Sequence, residues 1–528
     1  MTEFRAPLDD ILFTLNHVAD AGKLDDYDAE LSGEVASHFA AFAEGEIAPL
    51  NLIGDQQGAR LENGRVRMPD GYIECYRAFV EAGWPSLTAP EEFGGQGMDA
   101  LTLAITSEIY SGANHSLQMV TGLVPGAIRT LINFGTDEQK ARHMPLLADG
   151  TYLVTMALTE PAAGSDLSAV RCRAEQDRDV WKITGEKIFI SGGDQDMSDK
   201  ILHLVLARTS PEGIKGLSLF LVTSEKTDGT RNDVTVTRIE EKMGLHASPT
   251  CQLAFDGAEA ELIGGLGNGL KAMFTMMNHA RLDVALQGVA HSSRAYDIAR
   301  TYAETRKQGR QADGSPAMLT DHADVTRMLR EIDAAGLGGR ALAHMAFVAL
   351  ESGENPDLVD FLTPVAKVAC TEAATHAAST AMQVLGGYGY LQEYHAEQTW
   401  RDARICAIYE GANGIHARVL ATRLLPAAAG KAFDAFLEQE LAETAALAPV
   451  VGVWRDARDV LLSQSDASPL AHDFMQLTAQ TVQACLWHRM LKVADNHPDP
   501  DRIKATAQHA LSQLAAFAPA YAGLVRAA

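Results

Sequence analysis

Apolar positions along the 528 residues change their spacing twice. From residue 1 to about 150 they recur at helical intervals, interrupted by turn chemistry. Pro49 closes one helical stretch, and residues 64–71 predict a polar loop. Pro85, Pro90 and the run Gly94-Gly95-Gln96-Gly97 mark a further irregular stretch. Between about 152 and 262 the pattern becomes short β-branched or alternating runs at 152–158, 180–191, 201–207, 217–222 and 234–239, parted by Gly, Asp, Pro and Ser. Consecutive strands without long helices between them predict an antiparallel barrel or sandwich. Helical spacing returns at Gly269, where Met273, Met276 or Met277, Ala280, Val284 and Gly288 fall three to four residues apart and predict one apolar, core-packed face. Helices are expected over 321–351, 356–385 and after Arg404. From about 427 onward the chain is rich in Ala and Leu and again helical. The predicted fold is mainly α with a central β domain. Its expected domains are an N-terminal helical domain (1–151), a middle β domain (152–268), a C-terminal helical bundle (269–426) and an extra helical extension (427–528).

Composition narrows the function. With 47% hydrophobic and 21% charged residues, the chain reads as a soluble globular protein able to bury a large core. A formal net charge of −25 disfavours nucleic acid as the main partner. Residues 431–528, with eight Lys/Arg against eleven Asp/Glu, carry no basic footprint either. Cys75, Cys172, Cys251, Cys370, Cys406 and Cys485 are scattered without metal-ligand spacing, which predicts reduced thiols and a cytoplasmic location, with no metal site. No secretion signal is expected at the N-terminus, and no apolar run is long enough to predict a membrane span.

Five segments carry candidate chemistry. In Met156-Ala-Leu-Thr-Glu-Pro-Ala-Ala-Gly-Ser-Asp166 a strand ends in a turn of small residues, where backbone N–H groups and the hydroxyls of Thr159 and Ser165 can approach a ligand. By itself this is an ordinary strand-to-loop turn. It is followed, in order, by Lys187-Ile-Phe-Ile-Ser-Gly-Gly193, Thr305-Arg-Lys-Gln-Gly309, Met382-Gln-Val-Leu-Gly-Gly-Tyr-Gly-Tyr390, and Arg401-Asp-Ala-Arg-Ile405 leading into Ile408-Tyr-Glu-Gly411.

This ordered set resembles the acyl-CoA dehydrogenase family. The resemblance implies a helix bundle, a β-barrel and a second helix bundle holding FAD, here with extra C-terminal helices. It places Met156, Leu158, Thr159, Gly164, Ser165, Phe189, Ile190 and Ser191 at the flavin. Arg306 and Gln308 would reach the FAD pyrophosphate of a neighbouring subunit, and Gln383, Gly386 and Gly387 would meet the adenosine part of FAD. Glu410, following Tyr409, would be the base that removes the α-proton of an acyl-CoA thioester, and Ala412, Asn413 and Gly414 would touch FAD. Ser165, Asn278, Arg281, Glu410 and Gly411 would meet the substrate. One branch of the family carries its base just before the substrate-helix arginine. Here that residue is Ala280, which cannot accept a proton. The resemblance further implies an electron-transferring flavoprotein as electron acceptor and a homo-oligomer, with a dimer favoured because the extension could cover a surface used for further assembly.

The chain departs from the family pattern at four places. Asn278 stands where Asp is usual, Ala412 where a hydroxyl is usual, Gln308 runs directly into Gly309 without an aromatic, and Met156 replaces a common aromatic, which leaves stacking to Phe189. The sequence features 240–246 and 274–278 with the extension resemble a bacterial subgroup that includes methylmercaptopropionyl-CoA dehydrogenases. The competing readings are an acyl-CoA oxidase, a flavin-bearing DNA-binding relative and a non-catalytic scaffold. The chain ends without a Ser-Lys-Leu signal, which favours a dehydrogenase over a peroxisomal oxidase. Glu108, in the N-terminal helices, lies outside every matched motif, and its replacement by Gln is expected to leave turnover within severalfold if folding survives.

Overall fold

The computed structural model describes residues 3–527; the side chain of Asn278 lies outside the described residues. The chain divides into two compact units. One comprises residues 1–44, 100–113 and 281–528, the other 45–99 and 114–280.

In chain order, α1 (Leu8–Phe13) and α2 (Ala29–Phe42) open the first unit. Asp28 starts α2 by accepting from the backbone N–H groups of Glu30 and Leu31, donors that the first turn of a helix otherwise leaves unpaired. The second unit begins with α3 (Leu50–Gln57), the antiparallel hairpin β1 (Arg60–Glu62) and β2 (Arg65–Arg67), and α4 (Tyr72–Glu81). That hairpin overlaps the segment expected to be loop: Asn63 and Gly64 both take positive φ and make a tight turn between two three-residue strands too short to read from periodicity. Helix α5 (Ala100–Thr121) loses helical geometry at Asn114, and α6 (Val124–Phe134) and α7 (Asp137–Ala148) follow, α7 opening with a capping box between Thr136 and Gln139.

The middle segment folds into seven strands: β3 (Tyr152–Ala157), β4 (Arg173–Asp177), β5 (Val180–Ser191), β6 (Lys200–Arg208), β7 (Leu217–Thr223), β8 (Val234–Ile239) and β9 (Thr250–Ile263). The pairing order β3-β6-β4-β5-β9-β7 closes on itself because β6 also pairs with β7; β8 joins β9 at the side. The ring is a barrel, as expected, with one correction. β3 and β4 each meet β6 in parallel, and the remaining pairs are antiparallel. Two strands escaped the sequence reading. β4 is short and charged, and β9, fourteen residues long, puts Asp256, Gly257, Glu259 and Glu261 at exposed or half-buried positions while Leu253, Phe255, Ala258 and Ile263 are buried. Its acidic outer positions mask the alternation that defines a half-buried strand.

Helix α8 (Gly269–Thr305), which belongs to the first unit from residue 281 on, ends in a hairpin of β10 (Lys307–Arg310) and β11 (Pro316–Met318), followed by α9 (Ala323–Ser352) and α10 (Pro356–Leu385). Asn355 caps α10 and Gly386, at φ 61°, ends it. Then come α11 (Ala396–Ala403), α12 (Asn413–Val419) and the extension helices α13 (Ala428–Glu443), α14 (Ala448–Ser463), α15 (Ala471–Val493) and α16 (Pro500–Ala527). The extension is fastened by apolar and ionic contacts. Phe433 of α13 stacks on Phe361 of α10 with ring centroids 4.4 Å apart, and Trp454, fully buried, lies between Phe433 and Phe474. Arg502 of α16 pairs with Asp10 of α1 and, at 2.8 Å, with Asp333 of α9; His497 reaches Asp10 at 2.9 Å.

Candidate active site

Glu410 sits in the turn between α11 and α12. Its φ is 52°, in the left-handed region that costs an ordinary residue about 1–2 kcal/mol, and Gly411 follows at 96°. Such a conformation persists only where the surroundings hold it. Here they hold it on two sides. The ring Nε2 of His416 lies 3.0 Å from the Glu410 carbonyl, and since a carbonyl only accepts, that nitrogen carries the proton. Burial, with Arg281 and Lys367 nearby, pulls His416 down to about 4, which keeps the ring neutral. On the other side the Lys367 ammonium donates to the Gly411 carbonyl and to Asn413 Oδ1, both at 2.8 Å. The preceding Tyr409 donates its hydroxyl to Gln287 of α8, whose amide in turn donates to Asp283 at 3.2 Å.

The electrostatics raise this base above an ordinary glutamate. Burial pushes the Glu410 carboxyl above the usual carboxylate range, Arg281 and Lys367 pull it back, and Asp283 adds a smaller upward push. Lys367 itself, fully buried, is drawn down to about 8 chiefly by burial. Sequence reasoning found Arg281 but missed Lys367. Its signal was available: it is the only charged residue in the apolar run 361–370 of α10. Asp283 and Gln287 carried the same kind of signal and were also passed over: Asp283 is the only charged residue in the run 282–290 of α8, and Gln287 is buried within it.

The remaining predicted residues fall in two sets, one in each unit. In the barrel unit, Met156 lies on β3, and Leu158 and Thr159 lie just beyond its end. Gly164 and Ser165 are in the exposed turn that follows, and Phe189, Ile190 and Ser191 close β5. The β5–β9 register shifts between Lys187 and Ile190, and Phe189, at φ 58°, is 60% exposed. A large aromatic in this backbone region is a rare outlier, and the bulge turns its ring to the outside while Ile190 stays buried. The adjoining loop is fixed from within: buried Lys187 donates to the Leu158 carbonyl at 2.8 Å and to Glu160 at 2.9 Å, and Glu160 also accepts from the backbone of Arg171 and Cys172. Both ion-pair partners stood in the quoted motifs, but their structural role was not read.

In the other unit, Arg306 follows α8, and Gln308 lies on β10, so the expected helix end is a helix followed by a strand. The break is at Arg306, where the exposed turn chemistry of 311–315 folds Lys307–Arg310 back against Pro316–Met318. The Arg306 guanidinium lies 5.6 Å from the ring centre of Tyr388, bringing it to the turn that holds Gly386 and Gly387, beside exposed Gln383. Ala412 and Gly414 are exposed next to Asn413, and Gly411 is half-buried. Gly164, Gly386, Gly387 and Gly414 have open space where a Cβ would stand, so each presents bare backbone. Within the barrel unit, the hydroxyls of Thr159, Ser165 and Ser191, the bare backbone of Gly164 and the exposed face of Phe189 form a donor set that fits a flat heteroaromatic ring.

Comparison with known proteins gives this geometry its context. Family models for the acyl-CoA dehydrogenase N-terminal, middle and C-terminal domains match residues 32–151, 155–258 and 267–425. The chain belongs to the acyl-CoA dehydrogenase family. It is an oxidoreductase of a family whose cofactor is FAD. A 3-methylmercaptopropionyl-CoA dehydrogenase of Ruegeria pomeroyi is 40% identical over 461 residues, covering 82% of this chain and 78% of the relative. The broad-specificity linear acyl-CoA dehydrogenase FadE5 of Mycobacterium tuberculosis is 34% identical, covering 79% and 74%. An acyl-CoA dehydrogenase of Bacillus anthracis complexed with FAD shares the fold at TM-score 0.76 and 21% identity, over 95% of this chain and 88% of that one. The family models end at residue 425, so α13 to α16 lie beyond the common core, while that solved structure extends across nearly the whole chain. Among the described residues no helix is long and apolar enough to cross a membrane.

Proposed function

We propose that this protein oxidises an acyl-CoA thioester to the 2-enoyl-CoA, with Glu410 as the base. The observation that carries the reading is Glu410 itself: a carboxyl in left-handed backbone, raised by burial and flanked by the charges of Arg281 and Lys367. The α-hydrogen of a thioester is weakly acidic, so its removal needs a positioned base and hydrogen-bond donors for the developing enolate oxygen. Glu410 accepts the α-proton on its carboxylate. Its own backbone N–H serves the thioester oxygen, an assignment supported by the family resemblance. Arg281, and Asn278 beside it on α8, bind the CoA end, with Ser165 and Gly411 lining the substrate path.

FAD is held by Met156, Leu158, Thr159, Gly164, Ser165, Phe189, Ile190, Ser191, Gln383, Gly386, Gly387, Ala412, Asn413 and Gly414, and by Arg306 and Gln308 of a second copy of the chain. When bound it supplies the hydride acceptor for the β-carbon at flavin N5. Electrons then pass to an electron-transferring flavoprotein, in the cytoplasm, from a homodimer. The similarity to the Ruegeria relative makes 3-methylmercaptopropionyl-CoA the first substrate to test, with linear acyl-CoAs beside it. The deciding experiment is anaerobic bleaching of the purified yellow protein by a panel of acyl-CoAs. Loss of flavin colour with at least one of them is expected; a flavoprotein that none of them reduces refutes the reading.

A further inference from the structure

The extension beyond residue 427 has no assigned role, yet one of its side chains ends in the turn that carries Glu410. Gln476 of α15 donates to Glu372 Oε2 at 2.7 Å. The other oxygen of that carboxylate accepts from Asn413 Nδ2 at 3.1 Å. Asn413 Oδ1 accepts from Lys367 at 2.8 Å, and the same ammonium grips the Gly411 carbonyl. Four side chains thus connect an extension helix to the residue next to Glu410.

The direction of this chain of hydrogen bonds is fixed by chemistry. A carboxylate offers acceptors only and an ammonium donors only. Both amides that meet Glu372 must therefore present their NH2 groups to it, so Asn413 has only its oxygen left for Lys367. One arrangement satisfies every member, and a partly satisfied network would lose most of its rigidity. The strained backbone at 410–411 needs such an external hold. The family models stop at residue 425, so Gln476 belongs to the part of this chain that lies outside the shared core.

We propose that the C-terminal extension is a support for the catalytic turn, acting through Gln476, Glu372, Asn413 and Lys367, with Lys367 and Glu372 as positioning residues for Glu410. The inference rests on the reading of Glu410 as the base, but its mechanical half does not. Misplacing a reacting group by about 1 Å costs roughly a hundredfold in rate; loosening the turn without removing it should cost less.

The test uses the full-length holoprotein and the variants Lys367→Met, Lys367→Arg, Glu372→Gln and Gln476→Ala. Hydrogen–deuterium exchange of a peptide spanning 408–414 reads the turn directly, with a barrel peptide from 200–223 as internal control. Exchange at 408–414 should rise in Lys367→Met, Glu372→Gln and Gln476→Ala and stay near parent in Lys367→Arg, with the control unchanged. In parallel, the limiting rate of flavin reduction by butanoyl-CoA and by 3-methylmercaptopropionyl-CoA should fall about tenfold in Lys367→Met and about threefold in Gln476→Ala. KM and FAD content should hold, and Lys367→Arg should recover most of the rate, a split that general destabilisation would not produce. Should Lys367→Met fail to fold, Glu372→Gln and Gln476→Ala decide. Parent-like exchange at 408–414 in these variants overturns the proposal. A parent protein that no acyl-CoA reduces would refute the proposed function instead, and the exchange data would still decide whether the extension holds the turn.

Discussion

At the scale of single residues, Glu410 concentrates three properties that seldom coincide: strained backbone, a carboxyl raised by burial and two cations close by. Glu410→Gln keeps the size and removes the proton acceptor. Flavin reduction by a good acyl-CoA should slow by at least about a hundredfold in a stopped-flow instrument, with FAD content little changed. The pH dependence follows from the same group. Because the base must be ionised, the rate should rise with pH through a raised carboxyl pKa and be lost below it. Removing the Lys367 charge takes away one of the two groups that pull Glu410 down, so the acid limb of the Lys367→Met profile should move to higher pH. A limb that moves down, or not at all, would contradict that electrostatic account. Glu108, expected to be a neutral position, shows what the motif reading could not see. It is buried with bidentate hydrogen bonds from Arg340 at 2.8 to 3.2 Å, so the condition that folding survives is the demanding one: Glu108→Gln should lower stability, which denaturant unfolding checks, before turnover can be compared.

At the scale of elements, the long helices were legible because their apolar spacing is sustained; α10 spans 356–385, as the pattern predicts. The strands were legible only where Val, Ile and Leu dominate. β9 hid behind its acidic outer positions and β4 behind its shortness, and both supply pairings without which the barrel does not close. The candidate site was legible for a different reason. Its residues lie in compact motifs, whereas Lys367, Asp283, Gln287 and Glu372 act from neighbouring helices and are joined to the turn only by tertiary packing. The barrel loop offers a test at this scale. Lys187 is fully buried and neutralises Glu160, so Lys187→Met leaves a buried carboxylate without its counter-charge, held only by the backbone N–H groups of Arg171 and Cys172. A loss of about 3–5 kcal/mol is expected by denaturant unfolding, while Glu160→Gln with Lys187→Met together should lose less than the sum of the two.

At the scale of the whole molecule, the extension is bound at both ends of the sequence. Burial alone would raise the Asp10 carboxyl, but the His497 hydrogen bond and the charges of Arg502 and Arg340 overrule it and hold the group well below the usual range. A depressed carboxylate stabilises the fold above its unfolded pKa of about 3.9 and loses that contribution as pH falls through the folded value. Asp10→Asn should therefore destabilise the protein by about 3–5 kcal/mol near neutrality. The difference between variant and parent should shrink in acid, where an unchanged difference would contradict the ion-pair account. Assembly is the other expectation at this scale. Exposed Arg306 and Gln308 are assigned to a second copy's FAD, so light scattering should find a dimer. A stable monomer with full flavin and full turnover would refute that assignment.

The discontinuous course of the chain also has a consequence for its biosynthesis. Asp10 and its partner Arg502 are 492 residues apart in sequence. At about 5–20 residues per second on the ribosome, helix α1 waits roughly 25–100 s for the segment that neutralises it. The unit of residues 45–99 and 114–280 is complete in sequence long before then, whereas the unit that begins first can be finished only last. During that interval Phe13 of the same helix, whose ring meets that of His497 edge-on at 5.1 Å in the folded chain, is still without that cover.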